Sequence, residues 1–196
     1  MGNPDDSQPV LRRKAERDGT ALVVMDRDFV PTEGTYQRFA DFLEHEGADD
    51  LLREIADVPK DRPLRRRYAR NLKALIRVGG GGSERVHDRK VGQELEIVLI
   101  DDPWSAKPGA DLAVRILFHG EPAKGLPVKS LIDTGEGVAE SLARTDEAGV
   151  AKFPLEHRGQ WVIRATVIRP TDDATLADWD TYYATYSFHL PVVPER

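Results

Sequence analysis

The chain has 196 residues, 40% of them hydrophobic, enough to bury a core without covalent staples. It has no cysteine, which excludes disulfides, Cys-ligated zinc, iron–sulfur clusters and thiolate chemistry. With 34 acidic and 28 basic side chains the net charge is -6, which argues against bulk attraction to nucleic acid or anionic lipid, and no apolar run approaches the roughly 20 residues of a membrane-spanning helix.

Residues 1–19 are polar, carry Pro4, Pro9 and Gly19, and have no apolar signal core. They read as a loose segment without an export signal. Ala21 to Met25 is a short apolar run, read as a buried strand. Thr35 is placed to cap a helix whose face is Tyr36, Phe39 and Leu43, with Gly47 just past its end. Asp49 or Asp50 is placed to cap a second, short helix carrying Leu51, Leu52 and Ile55. Residues 64–71 read as helical, with Leu64 and Tyr68 on one side, and Leu72, Ala74, Ile76 and Val78 alternate as a strand. The run Gly79-Gly80-Gly81-Gly82-Ser83 is the best boundary in the chain.

After Gly92 the period-2 signal takes over. Leu95, Ile97 and Leu99 form one strand, and Leu112, Val114, Ile116 and Phe118 a second. Val128, Ser130 and Ile132 form a weaker one. Trp161 to Val167 and Tyr182 to Leu190 alternate over longer runs, while Leu142 and residues 151–155 supply two short strands. About seven short strands separated by turns argue for two packed antiparallel sheets. The expected fold class is therefore mostly β. A C-terminal antiparallel Ig-like or transthyretin-like β-sandwich over 91–196 follows a smaller, partial α+β unit over 20–79, with 80–90 as a linker loop. In Thr145-Asp146-Glu147-Ala148-Gly149, Asp146 starts a turn through its side chain and Gly149 takes a positive φ, leading by hairpin to Trp161.

A longer order of motifs carries a resemblance. It runs through Phe39-Ala40-Asp41-Phe42-Leu43-Glu44-His45-Glu46-Gly47, Arg66 to Arg70, Lys73 to Gly79, Val91 to Val98, Asp102-Pro103, Gly120 to Gly125, the Thr145–Gly149 turn and Ser187-Phe188-His189-Leu190. In that order the chain resembles a bacterial domain-of-unknown-function family formerly called NikM-type nickel-uptake periplasmic proteins, over about Gly19 to Pro191. The Thr145-to-Trp161 hairpin resembles transthyretin-like and carboxypeptidase-regulatory-like sandwiches. The first resemblance implies a periplasmic or extracellular envelope protein, a non-enzymatic binding or accessory module with an envelope protein or a metal ion as partner, associated with nickel or cobalt uptake. Members open on a histidine followed by an acidic-Phe-Trp stretch. This sequence lacks that opening, so no ligand is carried over from it.

Candidate sites are few. No two of His45, His87, His119, His157 and His189 have local chelating spacing. His119 and His189 fall on the non-core face of their strands. If those strands are neighbours, the pair, with Asp180, can hold a divalent transition metal; otherwise both face solvent. Trp104 and Trp179 sit in loops beside Asp102 and Asp180, either lining a ligand surface for a protein or glycan or packing over the end of the sandwich. Asp172, Asp173, Asp178 and Asp180 match no known calcium loop and read as a solvated loop. The basic run from Lys60 to Arg77 reads as a solvated helix face without interleaved aromatics. No nucleophile, zinc-protease or phosphate-loop motif is written. No catalytic residue is assigned, and no nucleic-acid partner is expected.

Overall fold

The computed structural model describes residues 14–80, 85–107 and 109–191. The loose segment expected at the N-terminus falls in part, over 1–13, outside the described residues; so do residues 81–83 of the glycine run and Pro108 of an expected turn.

β1 (Gly19–Thr35) leads straight into α1 (Tyr36–Glu46). Thr35 caps that helix, its Oγ1 accepting from the Arg38 N–H, and Gly47 closes it in the left-handed region at φ 71. In α2 (Asp49–Glu54) the two aspartates occupy the first turn, and the cap position falls to Ala48. Then follow β2 (Pro63–Val78), β3 (Leu95–Leu99), β4 (Asp111–Phe118), β5 (Glu121–Pro122), β6 (Pro127–Asp133) and β7 (Val138–Arg144). β8 (Val150–Pro154), β9 (Gly159–Pro170) and β10 (Trp179–Leu190) complete the chain.

The strands make two sheets. One has six strands in the order β1-β2-β10-β9-β6-β7, and the other has β3, β5 and β8 arranged on β4. Alternation explains the burial. Tyr182, Ala184, Tyr186, Phe188 and Leu190 face inward from β10, and Trp161, Ile163 and Ala165 from β9. They meet Leu95, Ile97, Leu99, Leu112, Val114 and Ile116 of the second sheet in one core. Trp161 and Tyr186 are fully buried, and Phe118 packs at the rim of the core against Tyr182. α1 lies on the opposite face of the large sheet, where Phe39 and Leu43 cover Leu64 and Trp179 in a smaller core. The fold is the expected two-sheet sandwich with a small helical part. The turn at Asp146 forms as expected: its Oδ1 accepts from the Ala148 and Val150 N–H groups. The hairpin to Trp161 does not, because β8 after the turn pairs β4 in the small sheet, whereas β9 with Trp161 lies in the large one. Gly149 sits at φ 72, where a Cβ would meet the Ile116 carbonyl at 2.6 Å.

Three readings change. Residues 64–71 are strand, because β1 pairs one side of them antiparallel and β10 pairs the other side parallel. Leu64 and Tyr68, four apart, share a face in a strand as well as in a helix, so their spacing does not discriminate. The run from Ala21 to Met25 is strand but not buried: β1 is an edge, and Val24 and Met25 are 39% and 45% exposed. The strands of the 20–79 segment are not a separate layer. β1 and β2 extend the same sheet as β10 and β9, and the other sheet begins with β3.

That crossing is pinned by ionic groups inside the sandwich. Lys73 of β2 and Glu96 of β3 are 1% and 3% exposed and meet at 2.6 Å. Lys73 Nζ also donates to the Arg89 and Ile97 carbonyls, so all three of its protons are used. Glu96 accepts from the Val91 and Gly92 N–H groups as well. Burial pulls the Lys73 ammonium below its usual pKa, and the Glu96 hydrogen bond opposes that shift. Beside this pair, Asn71 donates to Asp26 and accepts from the Leu95 N–H. Removing one partner of a buried, fully bonded pair strands the other charge. Lys73→Met is therefore expected to lower the unfolding free energy by about 3–5 kcal/mol in urea titrations, whereas a change under ~1 kcal/mol, within the range of exposed ion pairs, would mean that the pair is not buried in solution.

Candidate functional site

β2 and β10 run parallel and are paired from Trp179↔Arg66 to Ser187↔Ala74. Past that point they separate. β2 goes on to Val78 paired only with β1, and β10 goes on to Leu190 paired only with β9. The gap between them is a cleft of about 620 Å³, lined chiefly by Ile76 and Arg77 on one side and Ser187 and His189 on the other, with Trp104 and Gln160. Its volume lies within the usual range of small ligand sites.

Trp104 comes from the opposite sheet's side, in the loop after β3. Asp102 Oδ1 accepts from its backbone N–H, and Asp102 Oδ2 accepts from the Ser105 hydroxyl, which fixes the turn. The indole N–H donates to the His189 carbonyl at 2.9 Å, supplying a donor where the β2 edge has left. The Arg77 guanidinium lies over the indole at 5.1 Å. Among the described residues no carboxylate makes an ion pair with Arg77; its one hydrogen bond goes to the Gly80 carbonyl. The side chains of Arg77 and His189 are exposed, while Phe188 and Leu75 form an apolar floor.

The expected metal trio does not assemble. β4 and β10 lie in different sheets, so the two histidine-bearing strands are not neighbours. His119 sits one residue beyond β4, at φ 51, with its ring 5.9 Å from Tyr182. His189 is seven residues further along β10 than Tyr182, roughly 23 Å of extended chain. Asp180 is buried, and both its oxygens are held by the Arg67 fork at 2.8 and 2.9 Å. That hydrogen bond raises the Arg67 pKa. Among the described residues no three His, Asp or Glu side chains converge on a metal-sized point.

The expected tryptophan surface divides in the same way. Trp179 starts β10, is 6% exposed and packs on Phe39 at 5.1 Å between centroids, so it belongs to the core under α1. Trp104 alone faces a cleft. The aspartates before β10 are used locally: Asp173 accepts from the N–H and hydroxyl of Thr175, which holds its carboxyl below the usual range. Asp178 accepts from the Arg65 backbone and side chain.

Sequence reading missed the contributions of Arg77, Gln160 and Ser187, because the point where two strands part is not written in either strand. It also counted no aromatic partners for the basic run, whereas Tyr68 lies within that run and the fold brings others from elsewhere. Arg66 lies over Phe39 and Phe42, and Arg70 over Tyr68 and Tyr183. Burial lowers the Arg66 pKa. Arg164 bonds Glu46 at the end of α1, and Thr166 donates to the same carboxylate.

The sandwich and its cleft define a class: a β-rich domain with an open, aromatic-floored groove at one end of its larger sheet. The profile of a family described as Domain of unknown function (DUF4198) matches residues 2–169, and the chain belongs to that family. No curated protein matches it, and no solved structure does. Among the described residues no helix is long and apolar enough to cross a membrane.

With Trp161 and Trp179 buried and Trp104 partly exposed, acrylamide should quench one tryptophan's share of the fluorescence. Trp104→Phe should remove that quenchable share and leave the remainder; undiminished quenching in the variant would show that a buried tryptophan is in fact open.

Proposed function

We propose that this chain is a non-enzymatic binding or accessory module of the bacterial cell envelope that offers the Trp104 cleft to a protein partner. The observation that carries the reading is the cleft itself. An aromatic group and, among the described residues, a guanidinium without a carboxylate and two strand edges without a neighbour are concentrated at one end of the sheet, which is the composition of a recognition surface. The periplasmic setting, and the nickel or cobalt uptake system, rest on the resemblance to the NikM-type proteins. On this reading the module serves such a system by holding a protein component, and the metal is bound elsewhere. An adhesion-type sandwich with a glycan partner has less support, since Trp179 is not available to share a stacking surface with Trp104.

Two experiments bear on this. A photo-reactive amino acid placed at His189, in cells of the native host, should give a discrete adduct with an envelope protein. The same residue placed at Glu136, in the exposed turn between β6 and β7, should not. Equal labelling from both positions, or none from 189, would contradict the proposal. Calorimetric titration of the purified chain with nickel, cobalt, copper and zinc should show no micromolar binding. Micromolar heat abolished by His189→Ala would instead make the cleft a metal site.

A further inference from the structure

The proposal that the cleft binds a protein leaves open what part of a protein fits it, and the inference here rests on that reading. Inside the sheet, the edge of β2 from Leu75 to Val78 and the edge of β10 from Phe188 to Leu190 face each other with no strand of the described residues between them. Strand edges carry backbone donors and acceptors in a fixed row and take up extended chain readily. Part of this row is already answered by a side chain. The Trp104 indole donates to the His189 carbonyl at 2.9 Å. It is a stand-in for a backbone N–H group that a paired strand would present. The mouth is set by Gly79 and Gly80. Gly79 has φ 60, and a Cβ there would collide with the Asp18 carboxylate at 2.2 Å. The Gly80 N–H donates to Asp18, so the acidic group at the mouth is engaged, whereas the Arg77 cation has no carboxylate among the described residues.

We infer that the cleft takes an extended peptide segment of its partner by strand addition, with an acidic side chain of that segment placed against Arg77. Main-chain bonds to the open edges supply affinity, and alternate side chains of the guest read the apolar floor and the cation. The ligand class is a strand-forming peptide that alternates apolar residues with Asp or Glu.

A random heptapeptide library displayed on phage is the probe. It is panned on the intact chain and counter-selected on the Trp104→Ala/Arg77→Ala variant, whose fold is checked by circular dichroism. Enriched peptides should alternate apolar and acidic residues and alter Trp104 fluorescence on binding. Their affinity should drop at least 10-fold on N-methylation of one central backbone amide, and at least 10-fold against Arg77→Ala. Enriched peptides that tolerate N-methylation at every central position would overturn strand addition while leaving the cleft a binding site. Enrichment without acidic residues would overturn the role of Arg77. If no peptide is enriched, strand addition fails; an adduct from position 189 would then show that the broader reading survives it.

Discussion

The structure depends on how a charged pair is accommodated between two sheets that are otherwise held together by apolar side chains. Lys73 projects inward from β2 and meets Glu96 of β3 where solvent is excluded. A bare charge at that depth is costly, and the pair survives because every proton of the ammonium and both carboxylate oxygens have partners. Those partners are the chain segment that passes from one sheet to the other, Arg89 to Gly92 together with Ile97. The pair thus sets the register of the crossing and holds β2 against the second sheet, with Asn71, Asp26 and Gln93 extending the polar seam toward β1.

Once β2 is fixed there, the geometry of its far end follows. β2 has neighbours on both sides through Ala74, and beyond that it keeps only β1. β10 likewise stays with β9 through Leu190. Two parallel strands that keep their outer partners but part from one another open a gap in mid-sheet, and the loop after β3 places Trp104 beneath it. The cleft results from sheet topology, with the aromatic group supplied by the other layer. Toward the opposite end of the same strands α1 lies over them, Glu46 ties its last turn to Arg164 and Thr166, and the Arg67–Asp180 fork holds the inner side.

Most strands of residues 91–190 are legible in the sequence because they have one wetter and one dry face, and period-2 alternation records that directly; β3 is an exception, buried at all its positions. The cap at Thr35, the stop at Gly47 and the turn at Gly149 are legible because each needs a particular residue type. What the sequence hides is contextual. Leu64 and Tyr68 satisfy helix and strand alike, and only the flanking strands decide between them. Lys73 reads as one more solvated cation, since its partner lies 23 positions away. His119 and His189 look alike in sequence, but their distance depends on which sheet each strand joins. Of the candidate surface residues, Trp104 and His189 do meet in one cleft; Trp179, Asp180 and His119 lie toward the other end of β10. Arg77, Gln160 and Ser187 carry no local mark, as nothing in either strand shows where β2 and β10 cease to pair.

The claim on which the functional reading turns is that divergence. The chain has no cysteine of its own, so introduced pairs report without background. Leu72 and Thr185 are register partners on the outer face of β2 and β10. Ile76 and His189 would be partners four residues on if the pairing continued. Under mild oxidation, Leu72→Cys/Thr185→Cys should form an intramolecular disulfide and Ile76→Cys/His189→Cys should not. Equal crosslinking of both pairs would mean that the strands stay zipped and that the cleft is closed.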